Sequence, residues 1–242
     1  MSTPNPTVFQ LPSIRLSDER SPIFLDVIRW MMAWKLDGHI EQLYIDNLHG
    51  AQEVANDTGA IIAPNHVSYW DSCLFFTLSE LLSKRAFVFV KQDTLERLSF
   101  LRWCGAIPLN TNSSTQAHIQ LKQGSRLCTD PTQLWIFPQG EHRPAHLSAL
   151  RFKRGVTKLA EHTALPIIPV AIQYLYKDSE KPIAYVSFRD PLPHHASVTD
   201  IEAEVKRGLQ DIDAFHLGKD NDRFIAHYKR KMQQRENLPT RI

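Results

Sequence analysis

Cysteine is scarce in this chain. Cys73, Cys104 and Cys128 stand far apart, odd in number and without C-x-x-C spacing. They exclude a disulfide framework and a zinc knuckle, and they suit a reducing compartment. Surplus charge is equally scarce: 28 Lys plus Arg against 26 Asp plus Glu leave a net charge of +2, too little to mark a nucleic-acid binder. Any basic site must therefore be local. No apolar run reaches the roughly 18–20 residues that span a bilayer, so the chain is not expected to cross one. Residues 1–20 are polar and dotted with proline rather than basic then apolar, which is no secretory signal, and they read as a flexible arm. Internal repeats are missing, as are G-x-S-x-G and G-x-x-x-x-G-K, the usual marks of a serine hydrolase and a P-loop enzyme.

What the chain has is apolar mass in alternating blocks. Of its 242 residues, 43% are apolar, enough for the core of one large domain. Short apolar runs at 43–45, 60–63, 86–91, 105–109, 134–137, 167–174 and 184–189 read as strands. Helical patterns lead up to Leu82 and cover 94–103, 115–128 and 152–163. The alternation predicts an α/β fold, an αβα domain with a mixed, mostly parallel sheet. The tail over 200–237 is helical in pattern, interrupted near Gly218, and carries the basic run Lys229-Arg230-Lys231. That run reads as a solvated helix face or as a contact with anionic lipid. Residues 40–242 are thus expected to form one domain with C-terminal helices.

Residues 21–39 have a different character. Phe24, Val27, Ile28, Met31 and Trp34 recur at helical spacing, Trp30 borders the stripe, and Asp26, Arg29 and Lys35 lie elsewhere on the wheel. Two tryptophans on such a helix suit a membrane interface, where the ring sinks and its N–H stays wet. Packing on the domain core is the other use of an apolar stripe, and two faces of one helix accommodate both.

The run Asn65-His66-Val67-Ser68-Tyr69-Trp70-Asp71 stands where a strand hands over to a helix. Inside one helix, five steps of about 100° would leave His66 and Asp71 roughly 140° apart. With Ser68 as the cap and Asp71 three residues later, the carboxylate instead leans back toward the imidazole. A carboxylate on one ring nitrogen fixes the tautomer and leaves the other nitrogen to take a proton from a hydroxyl. That is two thirds of a hydrolase-type triad, with the nucleophile supplied by a substrate. A plain helix cap beside an ordinary loop histidine is the competing reading, so context must decide.

The context is three further blocks: Gly105 through Asn110 with Ile107 inside, Phe137-Pro138-Gln139-Gly140-Glu141-His142-Arg143 followed by Phe152-Lys153-Arg154-Gly155, and Ile168-Pro169-Val170. In order and spacing the four blocks resemble the glycerolipid acyltransferase family typified by lysophosphatidic acid acyltransferases, over roughly residues 40–190. The resemblance implies transfer of an acyl chain from acyl-CoA or acyl carrier protein to a lipid hydroxyl, with His66 as general base and Asp71 orienting it. It implies substrate binding by Asn65, Gly105, Ile107, Asn110, Phe137, Pro138, Gln139, Gly140, Glu141, Arg143, Lys153 and Arg154. No metal and no bound cofactor are implied, the acyl thioester being a co-substrate. The implied partners are a lipid acceptor, the acyl donor and a membrane surface, with the protein peripheral on the cytoplasmic face. Trp103 and Trp135 are candidate liners of an acyl tunnel or plain core.

The chain departs from the family at several points. Asn110 is read at the arginine position of the second block; Gln139 replaces Glu, Glu141 replaces Thr and His142 replaces Arg in the third. A neutral Gln139 and an acidic Glu141 change the charge where a glycerol phosphate would sit. This favours a non-phosphorylated acceptor such as a glycolipid or glycosylated carotenoid. Lys153 and Arg154 match the family's basic pair, one a point charge and one a planar fork. Gly140 is a candidate for backbone donation to the oxyanion. Two readings from other classes are a non-catalytic lipid-binding protein and a metal-dependent hydrolase built on His66, Asp71, His142 and His146, the last pair interrupted by Pro144.

Overall fold

Apolar strands alternate with helices along the chain, and they assemble into one eight-stranded sheet of order β4-β3-β5-β2-β6-β7-β1-β8. The structure, a computed structural model, describes residues 20–82, 85–146, 150–219 and 223–229. The arm expected over 1–20 lies outside them except for Arg20, as do Arg230 and Lys231 of the basic run. The elements are α1 (Pro22–His39), β1 (Gln42–Asp46), α2 (Leu48–Asp57), β2 (Ala60–Pro64), α3 (Trp70–Leu82), β3 (Ala86–Lys91) and α4 (Gln92–Arg97). After a 3-10 helix (Ser99–Cys104) come β4 (Ala106–Leu109), α5 (Ser114–Ser125), β5 (Gln133–Trp135), α6 (Gly155–Thr163), β6 (Ile167–Leu175), β7 (Ile183–Phe188), α7 (Val198–His216) and β8 (Ile225–Lys229).

Strands β4, β3, β5, β2 and β6 are parallel, β7 turns antiparallel to β6, and β1 follows β7 in parallel. The C-terminal ends of β2, β5, β3 and β4 therefore lie side by side, the place where α/β sheets build sites. Every residue of β2 is buried, as a strand covered by helices on both faces must be. One face carries α1, α2 and α3 over Ile62, Val170 and Ile172; the other carries α5 and α6 over Ile61, Leu134 and Ile136, and α7 over Ala171 and Tyr185. Trp135 is 1% exposed and packs edge-on to Phe75, so it is core. Trp103 is not buried: it is 49% exposed and stands edge-on to Phe24 of α1.

The sequence reading is corrected at two elements. Helix α2 is unexpected: its apolar stripe is short and half alanine, with Ala51 and Ala55 buried and Leu48 and Val54 partly buried against the core. Among the described residues beyond Gly218, 225–229 form strand β8 instead of the expected helix, antiparallel to β1 with a register shift between Leu43 and Tyr44; the rest of that expected helix, over 230–237, lies outside the described residues. Without β8 the outer rim of β1 would present a row of unpaired N–H and C=O groups, and covering that rim outweighs local helical pattern. The other strands and helices fall within a few residues of their expected places.

Candidate active site

The turn from β2 to α3 brings His66 and Asp71 together. His66 Nδ1 lies 2.7 Å from Asp71 Oδ2, and the same oxygen accepts the backbone N–H of Val67 at 2.7 Å and of Ser68 at 3.0 Å. The capping pattern is thus half realised: Asp71 bonds the Ser68 amide, while Ser68 Oγ accepts from Trp70 N instead of Asp71 N. Asp71 is 1% exposed, whereas the His66 side chain keeps 19% of its surface open. With Nδ1 tied to the carboxylate, Nε2 is the ring nitrogen that could accept a proton.

A further residue reaches this pair that the sequence did not flag. Tyr174, at the end of β6, donates its hydroxyl to Asp71 Oδ1 at 2.8 Å. Its phenol is held well above its ordinary pKa by burial first and then by the Asp71 charge, so it remains a donor. The fourth block pointed to the strand; counting on from Val170 at two-residue steps along one face, through Ile172, arrives at Tyr174.

The expected substrate-binding residues divide by position. Asn65 is buried and clamps β2 to β6: its amide donates to the Ile172 carbonyl at 2.9 Å and its oxygen accepts the Ile172 N–H at 2.7 Å. Ile107 is 1% exposed in the core beside Phe89 and Leu121. Gly105 precedes β4, about 13 Å back along the strand from Leu109 and so away from the His66 end of the sheet. Its φ of 88° and the Ala86 carbonyl, 2.8 Å from where a Cβ would stand, explain the glycine. Asn110 sits at the correct end of β4, three strands from β2 or about 14 Å across the sheet. It builds the turn into α5, accepting from Asn112 N and Ser113 N and donating to Gln116. Counted from Gly105, the arginine place of the second block falls one residue later, on Thr111; neither residue supplies a cation.

The third block wraps the histidine. Phe137 and His142 place their rings 4.4 Å and 4.0 Å from the imidazole, and buried Gln139 accepts the His66 backbone N–H. The Arg143 N–H donates to the His66 carbonyl at 2.8 Å, and its guanidinium pairs with Glu141. The Lys153 N–H donates to the Pro138 carbonyl at 2.9 Å, and its exposed ammonium lies 3.1 Å from the point where a Cβ on Gly140 would stand. Arg154 is exposed just before α6. Gly140 has φ 70°, and its N–H is engaged by the Phe137 carbonyl at 3.0 Å, which removes it as the oxyanion donor. His142 is held below the ordinary histidine value, by burial first, then by His66.

The thiols are poor nucleophiles. Burial pushes Cys73 up and takes Cys104 and Cys128 to about 11. Among the described residues no three His, Cys, Asp or Glu side chains converge to hold a metal ion.

Helix α1 touches the site from above. Lys35 Nζ donates to the Tyr69 hydroxyl at 3.1 Å, and His39 stacks at 4.8 Å on Trp70, the two residues just before Asp71. The outer side of the same helix exposes Ile23, Val27, Trp30 and Trp34, the last two at 71% and 68%. No described helix is long and apolar enough to cross a membrane.

Comparison with known proteins bears on the fold and the family. The crystal structure of the 1-acyl-sn-glycerophosphate (LPA) acyltransferase PlsC from Thermotoga maritima has a similar fold, with a TM-score of 0.58 and 16% sequence identity. The match covers 78% of this chain and 80% of that one. No curated protein matches by sequence. The model of the family described as Acyltransferase matches residues 47–173, from the N-cap of α2 to within two residues of the end of β6 and spanning all four blocks, and the chain belongs to that family.

Proposed function

We propose that this acyltransferase moves an acyl chain from the thioester of acyl-CoA or acyl carrier protein to a lipid hydroxyl, with His66 as general base and Asp71 orienting it. The observation that carries the reading is the 2.7 Å contact between His66 Nδ1 and a carboxylate that is 1% exposed. The acceptor hydroxyl gives its proton to His66 Nε2 as its oxygen attacks the thioester carbonyl. The tetrahedral intermediate collapses, the C–S bond breaks, and the imidazolium returns the proton to the departing thiolate. Asp71 remains ionised throughout and steadies the imidazolium. With the three thiols held protonated, no cysteine acyl-enzyme is needed. Release of free thiol from palmitoyl-CoA in the presence of acceptor tests the reading; a His66→Ala protein with near-normal release would sink it.

A second reading concerns the acceptor. The similar Thermotoga maritima enzyme is named for a glycerophosphate substrate, but here Glu141 pairs with the Arg143 guanidinium and His142 is biased toward neutrality. Lys153 lies beside Gly140. This charge pattern favours a non-phosphorylated hydroxyl, such as a sugar on a glycolipid or glycosylated carotenoid, over lysophosphatidate. Thiol release measured side by side with lysophosphatidate and a glycosyl diacylglycerol tests it, and faster turnover of lysophosphatidate would reverse it.

The outer face of α1 is proposed to lie on a lipid surface, holding the protein peripherally at the cytoplasmic face of a membrane. The four exposed apolar side chains at helical spacing support this. A Trp30→Glu/Trp34→Glu protein is expected to lose flotation with phosphatidylglycerol vesicles, and unchanged flotation would refute it.

A further inference from the structure

The two oxygens of Asp71 are served from different elements. Oδ2 takes His66 Nδ1 and the amides of Val67 and Ser68, all from its own turn, while Oδ1 takes the hydroxyl of Tyr174 from β6. Two residues earlier on the same strand, Ile172 grips both ends of the Asn65 side-chain amide. Strand β6 therefore fixes the catalytic turn at its first residue through Ile172 and at its last through Tyr174, about 7 Å apart along the strand.

We propose that Tyr174 is a positioning residue of acyl transfer: its hydroxyl sets the rotation of the Asp71 carboxylate and draws charge from it, so that Oδ2 meets the imidazole in one orientation. The proposal rests on the reading of His66 as general base. A carboxylate that loses one neutral donor concentrates its charge on the bonds that remain. Without Tyr174, His66 would bind Asp71 more tightly, release its proton to the thiolate less readily, and leave Oδ1 unsatisfied in a site with almost no solvent. The other titratable and charged groups facing the pair are Cys73 on α3, His142 after β5 with Lys91 of β3 behind it, and Lys35 on α1. None of them donates a described hydrogen bond to Asp71, so Tyr174 is the contact through which the carboxylate is tuned from outside its own turn.

The test compares wild type, Tyr174→Phe and His66→Ala. The proton on His66 Nδ1 is read by its far-downfield NMR resonance, assigned by its disappearance in His66→Ala and independent of any substrate. Thiol release from palmitoyl-CoA is read across pH with lysophosphatidate and with a glycosyl diacylglycerol as acceptor. Tyr174→Phe is expected to move the resonance downfield, lower kcat roughly tenfold at unchanged KM, the scale of one hydrogen bond to a charged group, and shift the acid limb of the rate profile to higher pH. An unchanged resonance and profile, with only a lower melting temperature, would make Tyr174 a packing residue and overturn the proposal. If Tyr174→Phe does not fold, 3-fluorotyrosine placed at 174 keeps the ring and donates more strongly. It is then expected to move the resonance and the acid limb the opposite way, and no movement overturns the proposal. Normal turnover by His66→Ala would instead strike the general-base reading, an outcome separable because the resonance still reports the Tyr174 contact.

Discussion

Among the described residues two carboxylates are buried, and they are held in opposite ways. Asp71, 1% exposed, is surrounded by neutral donors: an imidazole, two backbone amides and a phenol. Asp46, 5% exposed and on the α7 face three strands from β2, accepts from Ser187 and is met by the guanidinium groups of Arg223 at 3.0 Å and Arg189 at 3.9 Å. Those arginines also pair with Asp211, at 2.7 Å from Arg189 and 3.0 Å from Arg223. The Asp46 charge is already balanced and ties α7 and the approach to β8 onto the sheet. Among the described residues no Lys or Arg pairs with Asp71, and on the proposed reading its charge is met when the imidazole beside it takes the acceptor's proton. On the proposed reading, the difference separates a charge used for architecture from one kept for chemistry.

The comparison breaks first on activity. Asp71→Asn should lower thiol release by about 10² to 10⁴-fold, the usual worth of assisted proton transfer, with the far-ultraviolet dichroism of the wild type. Asp46→Asn should leave the rate within twofold of normal. On stability the order reverses. Asp46→Asn should cost about 1–3 kcal/mol in urea unfolding, discounted from the worth of a fully buried pair because the Arg223 side chain is 38% exposed. Equal rate losses in both proteins would abolish the distinction. Salt sharpens it further: added chloride should narrow the stability gap between wild type and Asp46→Asn by screening Arg223, and leave the rate gap of Asp71→Asn unchanged.

The smallest effect comes from a third carboxylate, Asp200, which like Asp71 has only neutral donors but stands in solvent at the start of α7. Its hydrogen bonds from Ser197 hold its pKa below the ordinary carboxylate value. A depressed folded-state pKa stabilises above the unfolded value and stops doing so as pH falls through the folded one. The melting-temperature difference between wild type and Asp200→Asn should therefore be small near pH 6 and fade as pH falls below the ordinary carboxylate value. A difference that grows on acidification would contradict the cap.

Much of this was legible in the sequence, for physical reasons that can be named. The His66–Asp71 meeting could be read because it depends on five residues of local geometry, and the parallel strands because burial on both faces leaves them apolar. Tyr174 lies 103 residues from Asp71, and only the pairing of β2 with β6 brings it near. Asn65 carries a motif position yet holds two strands together, a use that needs the partner strand to be seen. The same holds for Gly140, whose N–H closes its own turn. Strand β8 was illegible because the demand it answers, the bare rim of β1, is a property of the sheet.

The contacts from α1 to the turn have a last consequence. Lys35 and His39 grip Tyr69 and Trp70 from the inner side of a helix whose outer side bears Trp30 and Trp34. Packed helices sit 8–10 Å apart, so a helix lying flat on lipid would hold the imidazole at a set depth, about one helix diameter below the headgroup plane. The helix then works as a ruler. Among hydroxyls of equal reactivity, it would select those that project from the bilayer by that length.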